Sequence, residues 1–407
     1  MMNSPGGVSR PRVLVLARTY PNTALPGQGL WVARLVHAAL PVAAPVVISA
    51  IPQVLPGVPI PEWLRLRRVP QRAKRDGVDV LHPRVPAGLV HFTHSLDARL
   101  ALPRLRSLAL RLHSEQRIDL IHAHFIYPDG VIAAEIGRTL GIPVVTTEHA
   151  NWRPWLDDEP KVRAQVLDAL AGIRIVTAVS EVTRGTILEI AGSSARVELL
   201  PNALDDAVFI APTGEPRVSG RVLFVGMVRR VKGLDVLVRA LPMLLAREPN
   251  AHLRVIGSTL TPSNRRDEDD VRKLVASLGL SDRIEFVGHL DPREVSSEMR
   301  RAAVLAVPSR RESFSSVTIE ALASGTPVVA TRCGGPEELL DDSAGRLVPA
   351  EDPEAMAVAL ADVLGFLEQF DPLKLRARVL PRFGFAATTE RLDRLYRSAL
   401  PERHVAG

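Results

Sequence analysis

Glu312 and Glu320 stand eight positions apart in PSRRESFSSVTIEALASGTPVVATRCGGPEEL, residues 308–339. The first acid falls in a loop after an apolar strand-like run, 303–307, and the second inside a helical run, 316–323. The interval therefore spans a strand-loop-helix turn. The free N–H groups at that helix start, around Phe314, Ser315, Ser316 and Val317, point into the loop with the positive end of the helix dipole, which suits a diphosphate. Ser313, Ser315 and Ser316 add hydroxyls. The carboxylates would repel phosphate, so their chemistry is to accept hydrogen bonds from sugar hydroxyls. A solvated helix acid and an N-cap serine remain open for the same residues.

Four other stretches carry candidate chemistry. In LFVGMVRRVKGLDVLVRAL, 223–241, Gly226 ends a strand pattern and Lys232 brings a cation to a loop facing the strand ends, where open α/β sheets bind ligands. A surface cluster of Arg229, Arg230 and Lys232 is the plainer alternative. In TYPNTALPGQGLWVARL, 19–35, Gly27 and Gly29 lie between a strand and a helix, and a simple turn explains them equally well. His149 follows the apolar run of VVTTEHANW, 144–152, at a strand end, where a structural histidine is the alternative. His122 and His124 alternate with apolar residues in IDLIHAHFIYPDG, 118–130, and read as packing or hydrogen-bonding groups rather than metal ligands. The acids Asp267, Glu268, Asp269 and Asp270 lie among cations in RRDEDDVRK, which reads as a solvated helix start and not as a metal site.

Over 308–339 the chain resembles glycosyltransferase family 4, the group 1 retaining glycosyltransferases. That pattern runs E, seven residues, E, A, then G-T-P-V-V-A and a G-G segment with a following acid. It is met by Glu312, Glu320, Ala321, the GTPVVA of 325–330, and Gly334, Gly335 and Glu337. The resemblance implies a GT-B fold, two Rossmann-like doubly wound α/β domains facing across a cleft, with a nucleotide-sugar donor held mainly by the second. It implies that Glu320 holds the ribose hydroxyls and that Glu312 sits by the donor sugar. Backbone around Phe314, Ser315, Ser316 and Val317 would meet sugar and diphosphate, and Lys232 would lie on the diphosphate. His149 matches the family's histidine after T-T and would hydrogen-bond the donor sugar. Gly29, rather than Gly27, matches the glycine of a loop near the diphosphate. The family's arginine directly after the glycine is Met227 here, so Arg229 or Arg230 would have to reach in, or the charge rests on Lys232 and the helix dipole. PNALDDAVF keeps Asn202, Asp205 and Phe209 of a family segment, with Ala203 in place of a glycine.

The elements that must position these groups alternate as strand and helix, as in parallel α/β units. Strands are expected at 13–17, 46–50, 120–124, 144–147 and 175–178, then at 221–225, 253–256, 284–287, 304–307 and 327–330. A boundary falls in 202–220, where APTGEPRVSG is rich in turn formers. The expected domains are 1–205, on the acceptor side; 206–385, binding the nucleotide sugar; and 386–407, a helix that in GT-B proteins crosses back to the first domain. At 407 residues, 46% of them apolar, two sizeable cores are affordable.

Charge and cysteine content narrow the partners. The first 200 residues carry a net charge of +7 and the remainder −1, the excess concentrating in PEWLRLRRVPQRAKR, 61–75, and ARLALPRLRSLALRLHSEQR, 98–117. Arginines alternate there with leucines as on a helix that could rest on an anionic membrane surface, while nothing resembles a nucleic-acid platform. One cysteine, Cys333, excludes an intrachain disulfide, and a cytoplasmic home, peripheral at the inner membrane face, is the simplest. Residues 13–17 are too short for a signal peptide, and Pro41 and Pro45 divide the uncharged stretch 35–51. The implied activity is metal-independent transfer, needing no cofactor, of a sugar from a UDP-, GDP- or ADP-type donor to a carbohydrate or lipid-linked acceptor hydroxyl. A sugar-nucleotide epimerase or phosphorylase, or a noncatalytic nucleotide-sugar-binding protein, would share the domain plan.

Overall fold

The computed structural model describes residues 10–53, 65–86, 94–150, 158–192, 195–257 and 262–401. The chain divides into two compact units, residues 1–203 with 388–407, and residues 204–387.

The first unit is built on strands β1 Arg12–Leu16, β2 Ala44–Ile48, β3 Ile51–Gln53, β4 Arg72–Arg75, β5 Val78–Leu81, β6 Arg84–Pro86, β7 Leu120–His124, β8 Val144–Glu148, β9 Ile175–Ala178 and β10 Val197–Leu199. Eight of them form one sheet in the order β10-β9-β8-β7-β1-β2-β5-β4, parallel throughout except that β4 runs antiparallel to β5; β3 and β6 pair separately. Helices α1 Leu30–Ala39, α2 Asp97–Glu115, α3 Val131–Leu140, α4 Pro160–Gly172 and α5 Glu181–Ala191 alternate with the strands. The central strands are buried from end to end because helices cover both faces of a parallel sheet: β7 and β8 are buried along their whole length, His122, His124 and Glu148 included.

The second unit has strands β11 Arg221–Val225, β12 His252–Ile256, β13 Ile284–Gly288, β14 Val304–Val307, β15 Val328–Thr331 and β16 Gly345–Val348, all parallel, in the order β13-β12-β11-β14-β15-β16. Its helices are α6 Leu234–Leu245, α7 Pro262–Ser277, α8 Pro292–Arg301, α9 Ser316–Ala323, α10 Pro353–Gly365 and α11 Pro372–Phe383. The last helix, α12 Phe385–Ala399, begins in this unit and from Thr388 onward clusters with the first, where the Thr389 hydroxyl donates to the Ala38 carbonyl at 2.7 Å.

Every strand expected from the sequence forms within two residues of its expected ends. The extra strands β3 to β6, β10 and β16 are short, and their apolar content is too small to stand out. The helix-like reading of 61–75 holds at 65–67, which are helical, and is corrected at 72–75, which are strand β4, whose alternate residues Arg72 and Lys74 face water; 61–64 lie outside the described residues. The helical part of the 98–117 reading holds, α2 continuing through Pro103. Among the described residues no helix is long and apolar enough to cross a membrane.

The glycine that the β11 turn cannot do without is one residue past β12. Gly257 has φ 147°, and a Cβ there would lie 1.8 Å from the Gly226 carbonyl oxygen, whereas a Cβ on Gly226 would meet nothing nearer than 3.8 Å. Gly257→Ala should therefore destabilise the fold by about 3 kcal/mol or more, and Gly226→Ala by well under half of that, measured as urea midpoints followed by circular dichroism. Equal midpoints for the two variants would contradict this close approach.

Candidate active site

Both sheets reverse strand order once, between β1 and β7 in the first unit and between β11 and β14 in the second. At such a reversal the loops after the central strands diverge and leave a crevice at the carboxyl ends. The helices that follow β1, β11 and β14 are α1, α6 and α9. Each is preceded by a residue in the left-handed region, Gly29 at φ 72°, Gly233 at 68° and Ser315 at 71°, and none of the three has a side-chain cap. By contrast, α5, α8, α10 and α11 are capped by Ser180, Asp291, Asp352 and Asp371. A positive φ turns the chain abruptly into the helix and withholds a capping oxygen, which leaves the positive helix start for another acceptor. Glycine is required at two of these turns: a Cβ would lie 2.0 Å from the Thr19 carbonyl oxygen at Gly29 and 1.9 Å from that of Pro308 at Gly233.

In the second unit the sequence-predicted residues converge. Lys232 closes a 3-10 turn, Arg230–Lys232, and its Nζ donates to Glu312 Oε1 at 2.6 Å. The Ser309 hydroxyl donates to the same oxygen at 2.7 Å. The carboxylate is thus held by a cation and a hydroxyl, with only 10% of the Glu312 side chain exposed. Its backbone is fixed as well: Glu312 N donates to the Cys333 carbonyl and Gly335 N to the Glu312 carbonyl, both at 2.9 Å. Gly335 has to be glycine because a Cβ would sit 2.4 Å from the Phe314 backbone. Burial pushes the Cys333 thiol up to about 11, so it stays protonated beside this pair. Ser315 and Phe314 are buried, Ser315 Oγ bonding Thr318 Oγ1 at 2.8 Å, while Ser316, Val317 and Glu320 are half-buried on α9.

Arg310 ties the Lys232 loop to the Glu312 loop, and sequence reasoning missed it. Its guanidinium is bidentate on Asp235 at 2.8 Å for both bonds, reaches Glu351 and the Arg230 carbonyl, and its own N–H donates to the Val231 carbonyl at 2.8 Å. A planar fork on a carboxylate at the start of α6 sets geometry as well as charge. Ser309 and Gly257 were missed too; only the RR doublet hinted at Arg310. Met227 is 40% exposed, and Arg229 and Arg230 are exposed, with no carboxylate on either guanidinium among the described residues. Arg230 N donates to Asp267 Oδ2 at 2.8 Å. Of the neighbouring acids, Glu268 pairs with Arg272 at 2.7 Å and Asp270 with Lys273 at 3.4 Å along α7.

In the first unit His149 lies just past β8, with the Trp31 ring centroid at 6.4 Å, two residues beyond Gly29, and that of Phe125 at 5.1 Å. The preceding Glu148, buried, accepts from the N–H groups of Ile126, His149 and Ala150 at 2.8, 2.8 and 2.7 Å and so fixes the strand end. His149 Nδ1 meets the Asn202 side-chain oxygen at 3.1 Å, and its Nε2 meets His124 Nδ1 at 3.0 Å. An amide oxygen only accepts, so Nδ1 carries the proton and Nε2 accepts from His124 Nδ1–H. The His124 ring stacks on His122 at 4.6 Å, and His122 bonds Tyr396 of α12 at 2.9 Å and Thr147 at 2.7 Å. His122 and His124 are packing and hydrogen-bonding groups, as the sequence reading expects.

Desolvation by burial lowers the pKa of all three imidazoles, to about 3 for His122 and His149 and well below the ordinary value for His124. An unfolded chain binds these protons near pH 6.5 and the folded one does not, so stability rises with pH in that interval. Stability should be complete above about pH 6.5 and decline as pH falls toward 3. In His122→Gln the slope of unfolding free energy against pH should be shallower between those limits; an unchanged slope would contradict the assignment.

Residues 76–208 match the family model described as Glycosyltransferase Family 4, and residues 219–365 the one described as Glycosyl transferases group 1. A D-inositol 3-phosphate glycosyltransferase of Frankia alni is 31% identical over 358 residues, 81% of this chain and 86% of that one. Another, of Kineococcus radiotolerans, is 31% identical over 324 residues, 72% and 74% of the two chains. Among solved structures, sucrose-phosphate synthase from Thermosynechococcus elongatus matches with a TM-score of 0.76 at 22% identity, covering 96% of this chain and 99% of that one. HepE of Anabaena, in complex with UDP and glucose, matches with a TM-score of 0.74 at 17% identity, covering 95% and 99%. With two doubly wound Rossmann-like units, these likenesses identify the fold as GT-B.

Proposed function

From the premise that this chain belongs to glycosyltransferase family 4, the group 1 transferases, we propose that it moves a sugar from a UDP- or GDP-linked donor to an acceptor hydroxyl with the anomeric configuration retained. The epimerase, phosphorylase and noncatalytic readings give way to a transferase, because the relatives that match most of its length are glycosyltransferases. The observation that carries the donor reading is the Lys232–Glu312 pair, 2.6 Å apart, beside the uncapped start of α9. Cation, helix dipole and carboxylate stand together there, the set that a diphosphate joined to a sugar calls for.

In this reading Lys232 and the N–H groups at the start of α9 take the diphosphate, with Arg229 or Arg230 replacing the cation that Met227 lacks. Glu320 holds the ribose hydroxyls. Glu312 positions the donor sugar and stabilises positive charge on the ring as the bond from the anomeric carbon to the diphosphate oxygen breaks. The acceptor oxygen attacks the same face, and its proton passes to the departing phosphate oxygen. Electrostatic stabilisation of that leaving group supplies most of the effect, and no metal is called for. His149 reaches a donor hydroxyl by exchanging its bond to Asn202 or His124. The relatives' names support a phosphorylated cyclitol as the acceptor class to test first, ahead of the carbohydrate and lipid-linked acceptors. HepE's complex with UDP supports UDP among the bases.

Glu312→Gln keeps the shape of the side chain and removes its charge. Transfer from UDP- and GDP-sugars in EDTA should proceed with the parent, and the variant should lose about 10²- to 10³-fold in kcat with a smaller change in KM. Nuclear magnetic resonance of the product should show the donor's anomeric configuration. Equal turnover by the variant, or an inverted product, would remove this mechanism.

A further inference from the structure

A second basic site lies at the other end of the first unit's sheet, where strands β7, β1, β2 and β5 follow β8 and its His149 corner in order. A cavity of about 210 Å³ opens there between α2 and the β5–β4 edge. Arg104, Ser107 and Arg111 line it from one stripe of α2, three and four residues apart, and Gln71 and Arg72 line it from the start of β4. Among the described residues no acidic side chain lines it. Neither Arg72 nor Arg104 has a carboxylate partner among the described residues, and Arg111 meets only Glu115, one turn on, at 3.8 Å.

The floor is apolar and fixed. Leu81 and Leu108 are buried, and His82, 1% exposed, gives its Nδ1–H to the Ser49 carbonyl at 3.0 Å while its N–H donates to the Gln71 carbonyl at 2.8 Å. Burial lowers the His82 pKa, so the imidazole is neutral and adds no charge of its own. Three guanidiniums around one concavity repel one another, and the fixed, apolar floor gives them no counter-ion among the described residues. An oxyanion relieves the repulsion and accepts from planar donors two at a time. The volume exceeds that of several water molecules, at about 30 Å³ each, which leaves space for a phosphate and a small body attached to it.

We propose that this cavity binds a phosphate monoester through Arg72, Arg104 and Arg111, as a site separate from the one that transfers sugar. The shared chemistry is a dianionic phosphate on a small neutral body, carried either by a soluble metabolite or by a lipid headgroup. The site stands independently of the donor reading.

Calorimetric titration of the full chain at fixed ionic strength tests it, with inorganic phosphate and glycerol 3-phosphate as soluble probes and phosphatidic acid vesicles against phosphatidylcholine vesicles as the lipid arm. At least one phosphate probe should bind the parent, with affinity reduced about tenfold or more in Arg72→Ala/Arg104→Ala. Both arginines are exposed, and circular dichroism melting checks that the variants are folded. Arg104→Lys, which keeps the charge and loses the fork, should fall between parent and double variant. Binding to vesicles alone, dependent on the same arginines, identifies the lipid source. Absence of binding by every probe, or equal binding by parent and double variant, overturns the proposal.

Discussion

The structure depends on a topological constraint. A parallel sheet that reverses its strand order sends the helices on either side of the reversal in diverging directions, so the starts of those helices gather at the carboxyl ends of the central strands. The helices that follow β1, β11 and β14 are each entered through a left-handed residue, Gly29, Gly233 and Ser315, whereas α3, after β7, starts behind Gly130 in the right-handed region. The positive helix ends are then available where the loops leave room, and the charged side chains of the candidate site come from those same loops.

Within the second unit, the cation proposed to take the diphosphate is held by the acid proposed to face the sugar. Lys232 and Glu312 neutralise each other at 2.6 Å while Ser309 occupies the same carboxylate oxygen. The pair keeps two charges satisfied in a partly buried setting, and the Arg310 fork on Asp235 keeps the two loops from drifting apart. Three histidines in the first unit, His122 and His124 buried and His149 half-buried, do the corresponding work without charge: their imidazoles are kept neutral, with His149 hydrogen-bonded to Asn202 and His124, His124 stacked on His122, and His122 hydrogen-bonded to Tyr396, which aligns His149 without an ion pair.

Much of this was legible in the chain because long apolar strands and glycine-bearing turns leave a strong pattern. The E-x₇-E spacing and the GTPVVA run put Glu312, Glu320 and the α9 start in place, and the strands beneath them were found from continuous apolar runs such as VLAV of β14. What was not legible depends on contacts between distant residues. Arg310 reads as one of two arginines in a surface doublet until Asp235, 75 residues earlier, is seen under it. Asn202 reads as part of a segment after the last strand, and only the fold brings it to His149, 53 positions away. Gly257 has no motif at all; its need for glycine comes from the carbonyl of Gly226 on the neighbouring strand. The short strand β4, RAKR, was hidden by its cations, which suit a water-facing edge as well as a helix.

The most direct test of the central claim, that Lys232 beside the start of α9 forms a metal-independent diphosphate site, is calorimetric titration of the parent and Lys232→Ala with UDP, GDP and ADP in EDTA. The account predicts that at least one nucleotide binds the parent and that the variant binds it about tenfold or more weakly, a loss of about 1.4 kcal/mol. Equal affinity in the two proteins, or no binding of any nucleotide to folded parent, would contradict it.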